Sequence, residues 1–185
     1  MDIAPDATTA SLHDALAALG GRLIVQVLNQ AAQAPLPSQA QPDFGITYAE
    51  KIAKHEGQID WREDAALLAR KSRAFDPFPG CTAQIELAGK VETIKIWRLQ
   101  ALAPALAPES ATESATESAT ESASIGQITA LDAGGITIAC GADGRGRVRA
   151  TQLQKAGGKR LAAADFLAGT ALALGQCWQM EKLNS

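Results

Sequence analysis

The sequence predicts an α+β protein in which a small, closed or nearly closed β-barrel follows short helices and a longer amphipathic helix at the N-terminus. Three observations predict it. Leu12, Leu16, Leu19, Leu23 and Val27 recur at three- and four-residue spacing, the period of a helix with one apolar stripe. Beyond residue 81 apolar and polar residues alternate, the period of a strand. Glycine-bearing turns at Ala88-Gly89-Lys90, Asp132–Gly135 and Gly141–Gly146 cut that alternation into short strands, as small barrels require. The 185 residues suit one domain with appendages, and a 46% hydrophobic content supplies a core. Aromatic residues are only 4%, so that core must be built mainly of Leu, Ile, Val and Ala.

The first helix is expected over residues 8–33, with Thr8, Thr9 or Ser11 offering an N-cap oxygen and Pro35 and Pro37 ending it. Its stripe needs a surface to lie against. Residues 35–45 (PLPSQAQPDFG) form a stiff, proline-rich linker. Thr47–Lys54 and Asp64–Phe75 are expected as two short helices, the second placing Ala65, Leu68 and Phe75 on one face and stopping at Asp76-Pro77. Residues 81–99 read as a hairpin, with Ala83, Ile85 and Leu87 alternating on one arm and Ile94 and Ile96 on the other. Residues 103–124 repeat Glu-Ser-Ala-Thr and hold no large apolar side chain beyond Leu106, so disorder in an expanded hairpin loop is expected. Strands resume at Ile125–Leu131, Ile136–Cys140 and Val148–Leu153, and a short helix follows at Ala162–Ala168. The segment from 169 onward is ambiguous between tail and structure.

The net charge of −3 argues against a polyanionic partner until its distribution is considered. Residues 1–44 carry Arg22 against Asp2, Asp6, Asp14 and Asp43, and the repeat adds Glu109, Glu113, Glu117 and Glu121. Setting both aside leaves sixteen bases and twelve acids. Cys81, Cys140 and Cys177 form no C-x-x-C pair, so no metal site is expected, and scattered thiols suit a reducing, cytoplasmic setting. No apolar run reaches the roughly 20 residues of a membrane span. The opening residues carry neither a basic region nor an apolar stretch, so no signal peptide is expected.

The informative chemistry is cationic. Arg145, Arg147, Arg149, Lys155, Lys159 and Arg160 fall close together, and the three alternating arginines share one face of any strand they occupy. Gly157-Gly158-Lys159-Arg160 sets two cations on a flexible loop. Lys51, Lys54, Arg70, Lys71 and Arg73 make a second cluster. Cations so placed bind a phosphate backbone through counterion release without reading sequence. A generic solvated surface is the competing reading. His13 lies on the polar side of a helix, and His55-Glu56 reads as an exposed pair rather than an acid–base dyad. Gly141–Gly146 leads from strand to strand and lacks the helix N-terminus that would hold a phosphate. Trp61, Phe75 and Phe78 read as core or near-core, whereas Trp97, alternating with Ile96, is the better base-stacking candidate.

Particular blocks narrow the family. Thr47-Tyr48-Ala49-Glu50-Lys51-Ile52, Ile59-Asp60-Trp61 and Arg73-Ala74-Phe75-Asp76-Pro77-Phe78-Pro79-Gly80 are followed by Gly126-Gln127-Ile128, Gly135-Ile136, Leu153-Gln154-Lys155-Ala156-Gly157-Gly158-Lys159-Arg160 and Ala163–Gly169. In this order they resemble the carboxy-terminal domain of the bacterial methionyl-tRNA formyltransferases, over about residues 8–169. Residues 3–30 are similar to the last helix of that family's catalytic domain. The family's Asn-x-His pair and its His-Pro-Ser-Leu-Leu-Pro stretch are absent, so no catalytic residue is assigned.

The resemblance implies an OB-like barrel that helps hold initiator tRNA. It also implies a preceding helix left over from a missing catalytic domain, and a chain inactive on its own. In the full-length family enzyme the formyl donor is 10-formyltetrahydrofolate, and none is expected to bind this chain. The expected organisation is a helical remnant at 1–34, a linker at 35–45, the OB-like domain at 46–175 and a tail at 176–185. RNA contacts are expected from Lys51, Lys54, Arg70, Arg73, Arg145, Arg147, Arg149, Lys155, Lys159 and Arg160, and a separately encoded catalytic domain is a candidate partner. Two alternatives remain: a stand-alone RNA-binding module or inactive gene fragment, and the barrel of another folate-dependent formyltransferase.

Overall fold

A computed structural model describes residues 1–102 and 123–179. The expected loop insert falls almost wholly on 103–122, outside the described residues. The first helix, α1, spans Thr9–Ala31. Thr8 and Ser11 close a reciprocal cap: the Ser11 N–H donates to the Thr8 hydroxyl at 3.2 Å and the Thr8 N–H to the Ser11 hydroxyl at 2.9 Å. No residue of α1 is buried, and Leu16, Leu23, Ile24, Val25, Val27 and Leu28 all face solvent. Its first turn is tethered to the end of the next helix, where the Thr9 hydroxyl donates to the Ala74 carbonyl at 2.5 Å and the Ala10 N–H to the Asp76 carbonyl at 3.2 Å.

The helix expected at Thr47–Lys54 is not formed. Ile46, Tyr48 and Ile52 are exposed, so this stretch has no buried face, and so short a segment without tertiary packing does not sustain a helix in water. The next regular element after α1 is a single 3₁₀ turn at Lys54–Gly57, where the Glu56 carboxylate accepts from the Ala53 N–H at 2.6 Å. Helix α2 (Ala65–Ala74) forms as expected. The Asp64 carboxylate caps it by accepting from the Leu67 N–H at 2.7 Å, and it buries Leu68, Ala69 and Ser72. The Ser72 hydroxyl accepts from the Leu99 N–H at 3.1 Å, which pins α2 to the sheet.

Strands β1 (Cys81–Leu87) and β2 (Lys90–Ala101) make the first hairpin. Its two turn residues, Ala88 (φ +50°) and Gly89 (φ +76°), both adopt left-handed backbone, as tight hairpins demand. Ala88 carries a Cβ where asparagine or glycine is preferred. Ala88→Asn is expected to stabilise the fold by about 0.5–1 kcal/mol, read as a raised urea midpoint at unchanged m. Strands β3 (Ile128–Asp132), β4 (Gly135–Cys140) and β5 (Gly146–Lys155) follow, with a two-residue β6 (Leu161–Ala162) leading into α3 (Ala163–Ala168).

The result is an α+β fold on one six-stranded antiparallel sheet, ordered β1-β2-β5-β4-β3 with β6 on β5. Register shifts near Ile96, Arg98 and Leu99 mark bulges where β2 curls over β5. Ile85, Ile94, Ile96, Leu99, Ile136, Ile138, Val148 and Leu153 form the core of the sheet, with Trp61, Leu68 and Phe166 packed among them. The sheet is open rather than closed into the expected barrel, because among the described residues no strand ladder joins β1 to β3. Segment 175–179 lies in that gap. Trp178 and Gln179 donate their N–H groups to the carbonyls of Gly126 (2.9 Å) and Gln84 (2.7 Å), and the Gln176 carbonyl accepts from Ile128 at 2.8 Å. Single bridges result, Gln127↔Cys177 and Gln84↔Gln179.

Trp178 is 1% exposed, and its ring centroid lies 5.9 Å from that of Trp61. Of the three aromatics read as core, Trp61 and Phe75 are buried and Phe78 is not. Phe78 is 60% exposed. In the 76–80 loop it is Pro79 and Gly80 that turn inward, packing against Gly57 and the Trp97 ring, and the Phe78 side chain is left outside.

Candidate nucleic-acid interface

The loop after β5 is held by a chain of polar contacts. The Trp97 indole N–H donates to Gln154 Oε1 at 2.7 Å, and the Gln154 amide donates to the Gly158 carbonyl at 2.7 Å. The Gly158 N–H returns to the Lys155 carbonyl at 3.0 Å. The Arg160 guanidinium lies over the Trp97 ring, its Cζ 3.9 Å from the centroid, and grips both oxygens of Asp76 at 2.7 and 3.1 Å. Lys95 Nζ sits 5.0 Å from the same centroid. These distances suit cation–π contact and a forked guanidinium–carboxylate pair.

Trp97 therefore does not serve as the stacking platform expected of it. It is 8% exposed, and its ring is covered by Arg160 and Lys95.

Asp76 follows the end of α2, so Arg160 ties the loop to the end of that helix. Arg70 and Arg73 line a groove of about 380 Å³ between α2 and residues 3–12. Arg73 also donates to the Ala69 carbonyl at 3.0 Å, while Arg70 is exposed. Arg98 reaches the same segment through the Asp6 carbonyl at 3.5 Å. Lys71 is engaged in an ion pair with Glu63. Lys159 is exposed on its loop, and Lys155 reaches the Gly169 carbonyl at 3.4 Å. Lys51 lies on the exposed stretch before the 3₁₀ turn and Lys54 opens that turn.

The arginines at the start of β5 stand apart. At ~3.3 Å per residue, Arg149 is roughly 20 Å along the strand from Lys155. Arg149 pairs with Asp132, whose carboxyl is held below the usual carboxylate range first by the Gly134 N–H and also by Arg149 itself. Arg147 donates to the carbonyls of Gly144 (2.6 Å) and Gly146 (2.9 Å), and Arg145 lies 3.9 Å from Asp143. The first cationic stretch of the sequence is thus split between two ends of one strand.

Lys95, Arg98, Asp76 and Gln154 were not singled out by sequence reasoning. The alternation Lys95-Ile96-Trp97 places Lys95 and Trp97 on one side of β2. Nothing local, however, shows that β2 pairs with the distant β5, where Lys95 meets Gln154.

His13 pairs with Asp14, at 3.2 Å, on the exposed side of α1, and His55 lies exposed in the 3₁₀ turn. Among the described residues no group of His, Cys, Asp and Glu could hold a metal ion, and no helix is long and apolar enough to cross a membrane. Burial pushes the thiols of Cys81 and Cys140 up to about 12 and about 11, whereas Cys177 is exposed. Only the thiolate reacts readily, so a native titration with a thiol reagent at about pH 8 is expected to label Cys177 first and the other two only after denaturation.

Comparison with known proteins agrees with the sequence blocks. The formyl transferase, C-terminal domain family matches residues 51–171. Methionyl-tRNA formyltransferases from Burkholderia thailandensis and Burkholderia vietnamiensis are 48% identical to this chain, and that of Burkholderia mallei is 47% identical. Each alignment runs over 175 residues, or 94% of this chain and 47% of the relative. The chain thus spans about half the length of these curated relatives. Among solved structures, a variant of HypX from Aquifex aeolicus aligns with a TM-score of 0.48 at 17% identity, over 80% of this chain and 23% of that one. The chain belongs to the formyl transferase, C-terminal domain family.

Proposed function

We propose that this chain is the tRNA-binding part of a methionyl-tRNA formyltransferase. It holds initiator tRNA in the cytoplasm while a separate catalytic domain moves the formyl group from 10-formyltetrahydrofolate to the methionyl amine. The observation that carries the reading is the meeting of the end of α2, with Arg70 and Arg73, and the Gly157–Arg160 loop at one carboxylate, Asp76. Lys51, Lys54, Arg70, Arg73, Lys155 and Lys159 are the phosphate-facing cations. Arg145 is a lesser contributor, Arg147 is engaged by the carbonyls of the β4–β5 turn, and Arg149 is engaged by Asp132 at the end of β3. The curled sheet acts as an OB-like barrel whose seam is covered by residues 175–179, an architecture suited to single-stranded or looped RNA.

Residues 1–34 are read as the helical remnant of the catalytic domain. The uncovered apolar stripe of α1 supports this, since a stripe of that size normally has a partner. The groove beside α2 offers alkyl carbons, the Thr8 and Thr9 hydroxyls and two guanidinium groups, with no aromatic ring to lie against a pterin. The formyl-transfer chemistry is assigned to the separate domain.

A filter-binding titration of the full chain with initiator tRNA tests the proposal. Dissociation constants in the micromolar range that rise at least tenfold between about 50 and 200 mM salt are expected. Affinity indifferent to salt, or none at low salt, contradicts it.

A further inference from the structure

We propose that Arg160 is a positioning residue rather than a phosphate contact. Clamped between Trp97 and Asp76, it fixes the Gly157–Arg160 loop so that Lys159 faces RNA on the same side as Arg70. This rests on the tRNA-binding reading and assigns Asp76, Trp97 and Gln154 a part in it.

Arg160 has little charge left to offer. Both oxygens of Asp76 accept from it, and Asp76 is only 14% exposed while Arg160 is 39% exposed. Its guanidinium lies against the Trp97 indole. Asp76 takes two of the guanidinium's five N–H donors, and like-charge repulsion from that carboxylate opposes a phosphate at the others.

The same clamp sits at a junction. The Asp76 carbonyl receives the Ala10 N–H of α1, and its side chain receives Arg160 of the loop. The loop is also tied through Gln154, whose amide donates to Gly158 and whose carbonyl oxygen receives the Trp97 N–H. The two glycines of this loop would otherwise leave Lys159 free to roam, and ordering it at the moment of binding would weaken affinity. Gly157 adopts φ +71°, a left-handed backbone that the anchored loop uses for its turn. Lys159 is the exposed cation next to the anchor.

The two roles for Arg160 differ in sign. If it is a direct contact, Asp76→Asn removes an acid, frees a guanidinium and strengthens tRNA binding. If it is a positioning residue, Asp76→Asn weakens binding about three- to tenfold although the protein becomes more positive. Asp76→Glu, which keeps a carboxylate, restores most of the loss. The effect passes through Lys159, so Lys159→Gln lowers wild-type affinity several-fold but changes the Asp76→Asn protein less than about twofold, the signature of a coupled pair.

The experiment is tRNA binding by the full chain and these variants at low salt, with amide hydrogen exchange of each protein measured without RNA. Faster exchange at Lys155–Arg160 in Asp76→Asn, with the core strands unchanged, is expected. Tighter binding by Asp76→Asn, additive losses in the double variant, or unchanged loop exchange overturns the proposal. Wild-type protein that binds no tRNA overturns the RNA reading itself, whereas the exchange result still decides whether the clamp anchors the loop.

Discussion

Trp178→Ala is expected to lower the unfolding free energy by about 3–5 kcal/mol, the range for removing a large buried aromatic side chain. Trp178 lies near the end of the described chain, where truncation is usually harmless, yet it is 1% exposed and packed on Trp61 in the main core. Its backbone N–H also bonds the Gly126 carbonyl, and Gly126 leaves little room: a Cβ there would lie 3.0 Å from the Trp178 carbonyl oxygen. Loss of the ring opens a cavity beneath the seam between β1 and β3. The neighbouring segment cannot fill it, because its own hydrogen bonds to Ile128 and Gln84 fix its height. Urea unfolding followed by circular dichroism checks the magnitude. A cost below about 1 kcal/mol would show that residues 175–179 merely lie on the sheet.

Reversing charge at Arg70 and Lys159 together, both to glutamate, is expected to weaken tRNA binding by about two orders of magnitude at low salt. Each substitution removes a phosphate-facing cation and adds an anion, and the slope of log affinity against log salt is expected to fall by about 1 to 2. The paired control is Arg147→Glu and Arg149→Glu. These arginines are engaged by carbonyls and by Asp132, so their replacement is expected to lower stability and to change affinity much less. Fluorescence anisotropy with labelled tRNA, done beside thermal melts, separates the two effects. A larger affinity loss from the Arg147/Arg149 pair would move the RNA to the other end of β5.

Much of this fold was legible in one dimension because its elements announce their period. Leu12 through Val27 mark α1, Asp64 and Asp76-Pro77 bracket α2, and alternation with glycine turns marks the hairpins within a few residues. The helix expected at 47–54 failed because helical spacing promises a stripe, not a surface to bury it against. Phe78 failed for a related reason: its two prolines dictate the path of the loop, and that path turns Pro79 inward instead.

The candidate site was legible as a composition and not as a place. Lysine and arginine spacing picked out the loop and the helix that meet at Asp76. Whether Arg149 and Lys159 share a patch depends on strand length, and that the loop meets α2 depends on a contact between Asp76 and Arg160, 84 residues apart. The Trp97–Gln154 bond is likewise set by β2–β5 register, which bulges near Ile96 and Leu99 shift by amounts that no local signal encodes.

The most direct test of the central claim, that RNA lies against α2 and the Gly157–Arg160 loop, is a chemical footprint of the full chain with and without initiator tRNA. Lysine acetylation and arginine modification are read residue by residue. Protection is expected at Lys159 and Arg70, with Arg145 protected much less. Protection confined to the Gly141–Arg147 turn, or none at any cation, would contradict it.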